Sequence, residues 1–259
     1  MKKIVILISL IILVWGNVFA SPHYGFLSKS QLPNSYKLLP APPVMEVGPN
    51  GKNYPAFAQD KAISQKLFDD KNQTYFNGNP IPKQRLQEAI DDSNKSTQYF
   101  LKIFIDPMNI SDKEKKEIKE AIKDIVTKVV LDSANSTAVA KEKYNRVRPY
   151  YYYGKSSCDG EDLSSKKREL SYPSGHAIRG ITVARVLAKI LPNKYREQLF
   201  HRGIEYGNSR VICGDHWQSD IEASRVLSGF VMNALEQNNK YKISIKQAKQ
   251  KVREIIDQK

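Results

Sequence analysis

The sequence predicts an all-α protein, a single-domain helical bundle. Three observations carry this. Apolar residues recur at helical spacing through most of the chain beyond residue 55. Helix boundaries are marked by a capping box and by prolines and glycines where helices start or stop. No run of alternating apolar and polar residues is long enough for a useful strand. The chain has 259 residues, 41% hydrophobic and 26% charged. That is enough to bury a core without staples, and the balance excludes a disordered chain. No collagen-like triplet, heptad seam or long repeat is present, so fibrous and solenoid architectures are also excluded.

Residues 1–20 have the form of a secretory signal peptide. Lys2 and Lys3 precede an apolar run, Ile4 to Trp15, broken only by Ser9, and Val18 and Ala20 stand where a signal peptidase cuts. Cleavage is expected after Ala20, with export to the periplasm or beyond. A membrane anchor is the competing reading, but the run falls short of the roughly 20 apolar residues a span needs. Ile181–Leu191 and Val226–Leu235 are also too short, and Arg185 and Lys189 interrupt the first. No stable membrane insertion is expected.

Residues 21–55 are rich in Pro, Gly, Asn and Ser, with Leu39-Pro40-Ala41-Pro42-Pro43 at the centre. They predict an extended N-terminal arm lying on the body. Residues 56–259 form the helical domain. Ala56–Leu67, Pro82–Ile90 and Thr97–Ile105 have helical apolar spacing. Ser111-Asp112-Lys113-Glu114 is a capping box opening a long helix to about Ser133. Asn135 or Ser136 can cap the next helix, which Pro149 should end, because the residue before a proline is pushed out of the α region. Tyr150–Leu170 is polar and contains glycine, a loop. Further helices are expected at Gly175–Leu191, Asn193–Val211 and Trp217–Leu235, with a Lys-rich one from about Ser244.

Export implies an oxidising compartment. Cys158 and Cys213 are the two cysteines, so one disulfide is the simplest pairing. It closes 213 − 158 = 55 residues, worth roughly 4 kcal/mol in the chain-entropy model. Two buried free thiols are the alternative. The four histidines are His23, His176, His201 and His216. Cys213 stands three before His216, but Cys158 has no Cys or His near it, no His-x-x-x-His occurs and no set of four ligands is evident, so neither a metal nor another cofactor is expected.

The net charge is 41 − 27 = +14. Lys113–Lys116 and Lys246–Arg253 read as solvated helix faces. Cations interleaved with exposed aromatics are not seen, so a nucleic-acid partner is not expected. The one aromatic cluster, Tyr150 to Tyr153, reads as packing around a loop. A positive exported protein is suited to anionic small molecules.

Three segments carry chemistry. In Lys141 to Pro149, Lys141 and Arg148 are seven residues apart. On one helix they share a face about 10 Å apart along the axis. In Tyr172-Pro173-Ser174-Gly175-His176-Ala177, a serine and a glycine stand at a helix start, where backbone N–H groups and the dipole favour an anion. In Ser209 to Asp220, His216 and Asp220 are i and i+4. A carboxylate on one imidazole nitrogen leaves the other unprotonated and aimed. Arg210 offers a planar fork for phosphate. Taken singly, each segment also fits a plain helix cap or a surface pair.

In order the segments read Lys-x6-Arg-Pro, Pro-Ser-Gly-His and Ser-Arg-x5-His-x3-Asp. This resembles the signature of the superfamily joining type 2 phosphatidic acid phosphatases with vanadium haloperoxidases. The resemblance is closest to the bacterial class A nonspecific acid phosphatases. It rests on Ser171–His176, on Ser209–Gly214, and on the Gln31-Leu32-Pro33 and Leu39–Pro43 stretches of the arm. It implies a metal-free helical enzyme that hydrolyses many small phosphomonoesters, with phosphotransfer to alcohols in some members, and a homo-oligomer. Position by position, it implies His216 as nucleophile oriented by Asp220, and His176 as acid and then base. Lys141, Arg148, Ser174, Gly175 and Arg210 would hold the phosphoryl oxygens. Three positions depart from the class A pattern. Ala177 stands for the usual Thr and Leu170 for a Gly. Asp215 stands for an uncharged residue and would raise the pKa of His216. A lipid phosphate phosphatase, a vanadium haloperoxidase and a non-catalytic anion binder are the competing readings.

Overall fold

In the computed structural model, the residues described are 23–43, 45–47, 53–55, 60–64, 75–76 and 79–257. The expected signal peptide lies outside them, as does most of the expected helix Ala56–Leu67. The fold is all-α, as expected. After a short helix α1 (Ser35–Leu38) come two small antiparallel ladders. One pairs β1 (Met45–Val47) with β2 (Asn53–Pro55), and the other pairs β3 (Tyr75–Phe76) with β4 (Asn79–Pro80). Residues 60–64, here α2, are helical. Then follow α3 (Lys83–Asp91), α4 (Thr97–Ile105), α5 (Asp112–Asn135), α6 (Ala138–Tyr144), α7 (Pro149–Tyr152), α8 (Gly175–Ile190), α9 (Arg196–Ile212), α10 (Gln218–Gln237) and α11 (Asn239–Asp257).

The capping box at Ser111 and Glu114 is present: Glu114 N–H donates to Ser111 Oγ at 3.2 Å, and Ser111 N–H donates to Glu114 Oε2 at 2.7 Å. The next helix differs from expectation at both ends. Ser136 closes α5 instead of opening α6, its hydroxyl donating to the Ser133 carbonyl. Thr137 is the N-cap residue of α6. At the other end, α6 stops at Tyr144, five residues before Pro149. Asn145 is left-handed, with φ 43°, a conformation asparagine tolerates better than most residues. Pro149 therefore starts α7, where its fixed φ and missing N–H cost nothing. Lys141 and Arg148 consequently do not share a helix face.

Helix α8 is central, packing against α4, α5, α9, α10 and α11. It can do so because its sequence is apolar nearly all round, with Ile178, Ile181, Val183, Val186, Leu187 and Ile190 all buried. Its crossing with α9 requires glycine on both sides. A Cβ at Gly180 would sit 2.7 Å from the Tyr206 ring and 2.9 Å from the Gly203 carbonyl oxygen. One at Gly203 would sit 2.9 Å from Ala184 Cβ. This crossing fixes the start of α8 relative to the end of α9.

The start of the arm is tied down by Asp132 of α5. Its buried carboxylate accepts the N–H groups of Gly25 at 2.9 Å, Phe26 at 2.8 Å and Leu27 at 3.3 Å. Burial pushes its pKa up to about 6, against those three hydrogen bonds. Phe26, Leu27 and Leu39 join the main core. The Tyr172 hydroxyl donates to the Pro40 carbonyl at 2.7 Å, so the arm also touches the residue before Pro173.

The glycine crossing predicts that Gly180→Ala destabilises the fold by about 1–3 kcal/mol, the usual cost of overpacking a close contact. Denaturant unfolding monitored by circular dichroism measures it. A variant as stable as the parent would show that α8 and α9 can separate freely.

Candidate active site

The site is built outward from Asp220, in the first turn of α10 and fully buried. Its Oδ2 accepts the Trp217 N–H at 3.0 Å, the Ser171 hydroxyl at 2.5 Å and His216 Nδ1 at 3.2 Å. Its Oδ1 accepts Arg146 Nη1 at 2.6 Å. Burial alone would push this carboxyl up. The Arg146 guanidinium and the hydrogen bonds from His216 and Ser171 outweigh it and hold the group well below the usual carboxylate range. Arg146 is itself buried and is shared with Asp60, whose Oδ2 lies 2.8 Å from Nη2. Asp60 also accepts the Ser219 N–H at 3.0 Å, which fixes the start of α10.

With Nδ1 donating to Asp220, His216 keeps its proton there and turns Nε2 toward a cleft. Arg148 Nη1 lies 3.2 Å from Nε2. Burial, then the Arg148 charge, drive the imidazole pKa well below its ordinary value, against the raising effect of Asp220. These causes favour the neutral imidazole. The expected raising of its pKa by Asp215 is not what the structure gives: the Asp215 carboxylate is answered by Arg210 at 2.9 Å and by Arg148 at 4.0 Å.

The cleft has a volume of about 360 Å³, and its lining includes Lys141, Arg148, Gly175, His176, Asp215 and His216. Lys141 and Arg148 reach it from different segments. Lys141 comes from the last turn of α6, and Arg148 from the extended residues before α7. Both donate to the Leu170 carbonyl, and Lys141 also donates to the Ser171 carbonyl at 3.3 Å. Arg148 is further braced by the carbonyls of Lys167 at 2.8 Å and Asp215 at 2.9 Å. Burial, then Arg148, lower the Lys141 pKa strongly. Leu170, a departure from the class A pattern, thus contributes only its backbone here.

His176 sits on the first turn of α8 with Nε2 3.1 Å from the Ser93 carbonyl, which assigns the proton to Nε2. Burial, then Arg210 and Arg179, push its pKa well down. Gly175 lines the cleft, placing the α8 N-terminus there. Ser174 is the N-cap residue, and its hydroxyl accepts the Ala177 N–H at 3.3 Å.

Arg210 does not line the cleft. It is fully buried, with Nη1 on Asp159 at 2.8 Å and Asp215 at 2.9 Å, and Nη2 on the Ala89 carbonyl. Asp215 is pushed up to about 7, by burial first and by Asp159, against the pull of Arg210 and Arg148. Cys158 and Cys213 form the disulfide, with Cα atoms 4.5 Å apart. It holds Asp159, the next residue, against Arg210.

Sequence reasoning missed Arg146, Ser171, Asp60, Asp159 and Arg179. Arg146 lies inside the first of the three segments and Ser171 immediately before the second, and neither is a signature position. Asp60 carries no local signal, since only tertiary packing brings it to Arg146. Among the described residues, no group of three or more His, Cys, Asp or Glu is placed to hold a metal ion, and no helix is long and apolar enough to cross a membrane.

A sequence profile of the PAP2 superfamily matches residues 125–243, the stretch that holds every signature residue. The chain is 32% identical over 237 residues to a non-specific acid phosphatase of Providencia stuartii, covering 90% of this chain and 87% of that one. It is 34% identical over 203 residues to a non-specific acid phosphatase of Salmonella typhimurium, covering 77% and 72%. A third, from Salmonella typhi, is 32% identical over 228 residues, covering 87% and 82%. Likeness of this extent, over a buried His–Asp pair facing a cationic cleft, places the chain in the PAP2 superfamily among its non-specific acid phosphatases.

Proposed function

We propose that this acid phosphatase is exported, acts on a broad range of phosphomonoesters and works through a phosphohistidine. The observation that carries the proposal is the His216–Asp220 pair, which leaves a neutral imidazole nitrogen facing a cleft lined by Lys141 and Arg148. Export rests on the pattern of residues 1–20, with residues 21–55 as arm and 56–259 as the catalytic domain. A homo-oligomer is part of the same proposal.

The substrate phosphate displaces Arg148 from His216 Nε2, and Lys141 and Arg148 take its oxygens. The Gly175 N–H and the Ser174 hydroxyl, which accepts from Ala177 and is free to donate, complete the cradle. Nε2 attacks phosphorus, the N–P bond forms, and the bond to the ester oxygen breaks. His176 supplies the proton that the leaving oxygen takes. In the empty cleft burial and the neighbouring Arg210, Arg179 and Lys95 charges favour the neutral form of His176. The incoming phosphate offsets those charges and raises its pKa toward the range where it carries a second proton. In the second step His176 takes a proton from water, the water oxygen bonds to phosphorus, and the N–P bond breaks. An alcohol in place of water would leave with the phosphate. Preorganised cations and a helix N-terminus stabilise the spread charge of the transferring group, the work a metal does in other phosphatases.

Arg210 enters this scheme through Asp215. While Asp215 is protonated, Arg210 is less firmly held and can share a phosphoryl oxygen. Once ionised, Asp215 keeps Arg210 and adds negative charge to the wall. Phosphate binding therefore weakens as the pH rises through about 7, the value toward which Asp215 is pushed. Asp215→Asn should retain kcat/KM to higher pH than the parent, and an unshifted alkaline limb in the pH profile would count against this coupling.

The two histidines should fail differently. His216→Ala removes the nucleophile, so acid quenching should trap no phosphate on the protein and turnover should fall to background. His176→Ala should lose roughly 10²–10⁴-fold on alkyl esters, and much less on p-nitrophenyl phosphate, whose leaving group needs little protonation. Trapped phosphate on His216→Ala would overturn the assignment. Activity is also expected without added metal and in the presence of EDTA; loss on chelation, restored by a divalent ion, would contradict the metal-free scheme.

A further inference from the structure

The cleft holds more positive charge than a single phosphate needs. Besides Lys141 and Arg148 it is lined by Lys95, Lys167 and Arg179. Lys167 is answered by Glu161, 2.8 Å away. The acids Asp159 and Asp215 are answered by Arg210. Arg179 and Lys95 remain, and neither forms an ion pair among the described residues. Arg179 stands one helical turn after Gly175. Its Nη1 donates to the Gly175 carbonyl at 3.0 Å, and its Nε is buried with no hydrogen-bond partner. Lys95 lies in the loop between α3 and α4, exposed on one side and facing the cleft on the other.

These two cations stand near His176: Arg179 follows it by three residues on α8, and Lys95 follows by two the Ser93 whose carbonyl lies 3.1 Å from His176 Nε2. Beyond burial, Arg148 and Lys141 lower the pKa of His216, while Arg210, then Arg179 and Lys95, lower that of His176. They also act on each other, since Arg179 lowers the pKa of Lys95. Holding two like charges together, with one guanidinium nitrogen buried and unpaired, costs free energy in the empty protein. A bound anion would return it.

We infer that Arg179 and Lys95 form a second anion subsite beside His176, which selects phosphomonoesters whose leaving group carries a further anionic group. His176 faces the leaving oxygen, so the second anion belongs to the part of the substrate that departs. Arg179 offers the planar fork for a carboxylate or phosphate, and Lys95 a mobile point charge at the rim. The inference rests on the phosphatase reading of the same cleft and narrows its substrate class.

The test compares substrates matched except for the second anion. Glycerol 3-phosphate against 3-phosphoglycerate adds a carboxylate, and glucose 6-phosphate against glucose 1,6-bisphosphate adds a phosphate. The parent should favour the doubly anionic member of each pair in kcat/KM by about tenfold, about 1.4 kcal/mol. Arg179→Gln and Lys95→Gln should each pull that ratio toward one, mainly through KM, and Arg179→Lys should restore part of it. Lys95 is at the rim, so its variant tests the subsite even if replacement of Arg179 disturbs α8. If only one pair shows the ratio, the subsite is specific for that anion. A ratio near one in the parent, or one that neither variant moves, overturns the subsite while leaving the phosphatase reading intact. Absence of hydrolysis of any monoester by the parent would instead overturn the reading of the cleft.

Discussion

The buried ion pair between Arg146 and Asp220 is the constraint on which the rest of the site depends. Both side chains are fully out of water, a state that is stable only when every charge is answered. Asp220 is answered by Arg146, His216, Ser171 and the Trp217 N–H; Arg146 by Asp220, Asp60 and Ser219. These partners come from α2, from the stretch between α6 and α7, from the residues ahead of α8, and from α10. One carboxylate thus fixes the relative positions of four parts of the chain. The orientation of His216 follows, because its Nδ1 has one acceptor left to serve. Breaking such a pair from one side strands a buried charge, so the network is all-or-none in character.

Around that fixed centre the protein gathers cations at some cost to itself. Lys141, His176, His216 and Arg179 are all pushed toward neutrality, with burial the first cause in each. Like charges around an empty cleft repel one another, and the backbone carbonyls of Leu170, Ser171, Lys167 and Asp215 only partly offset this. A dianion that enters relieves the repulsion. Binding energy is thereby concentrated on ligands with the charge of a phosphoryl group, and still more on the greater charge spread of its transition state. The anion should also stabilise the folded protein by mass action.

Much of this was legible in the sequence, and the reasons differ by element. The long helices were visible because their signals are local: the Ser111 capping box, the apolar spacing of Thr97–Ile105, the Pro-Ser-Gly turn before α8. The proline rule misplaces the end of α6, because a left-handed Asn145 turns the chain earlier. That error carried into the site, since Lys141 and Arg148 meet through a turn and not along a helix face. Asp60 was invisible, being 160 residues from the carboxylate whose partner it shares. The two small ladders were also missed: with two or three residues a side, alternation has no room to appear. Arg179 was legible in principle, one turn after Gly175 on the face that opens the helix. A cation there reads as an ordinary helix residue until the neighbouring charges are placed.

The excess of Lys and Arg proved the least informative feature of the composition. The two densest groups of them, on α5 and α11, lie largely on exposed helix faces, in water and subject to screening within about 8–10 Å at ordinary ionic strength. Their effect on a bound phosphate is small and salt-dependent. Lys141, Arg148 and Arg179 are far fewer, but they act across a short distance in a confined cleft, where each charge counts for more. Arg210 shows how sensitive that arrangement is to one residue. Two carboxylates and a carbonyl hold it back from the cleft, and one of those carboxylates, Asp215, sits where an uncharged residue is usual in the resembling class. The number of cations in the chain says little about its chemistry, and what decides it is which of them the fold leaves without an internal partner.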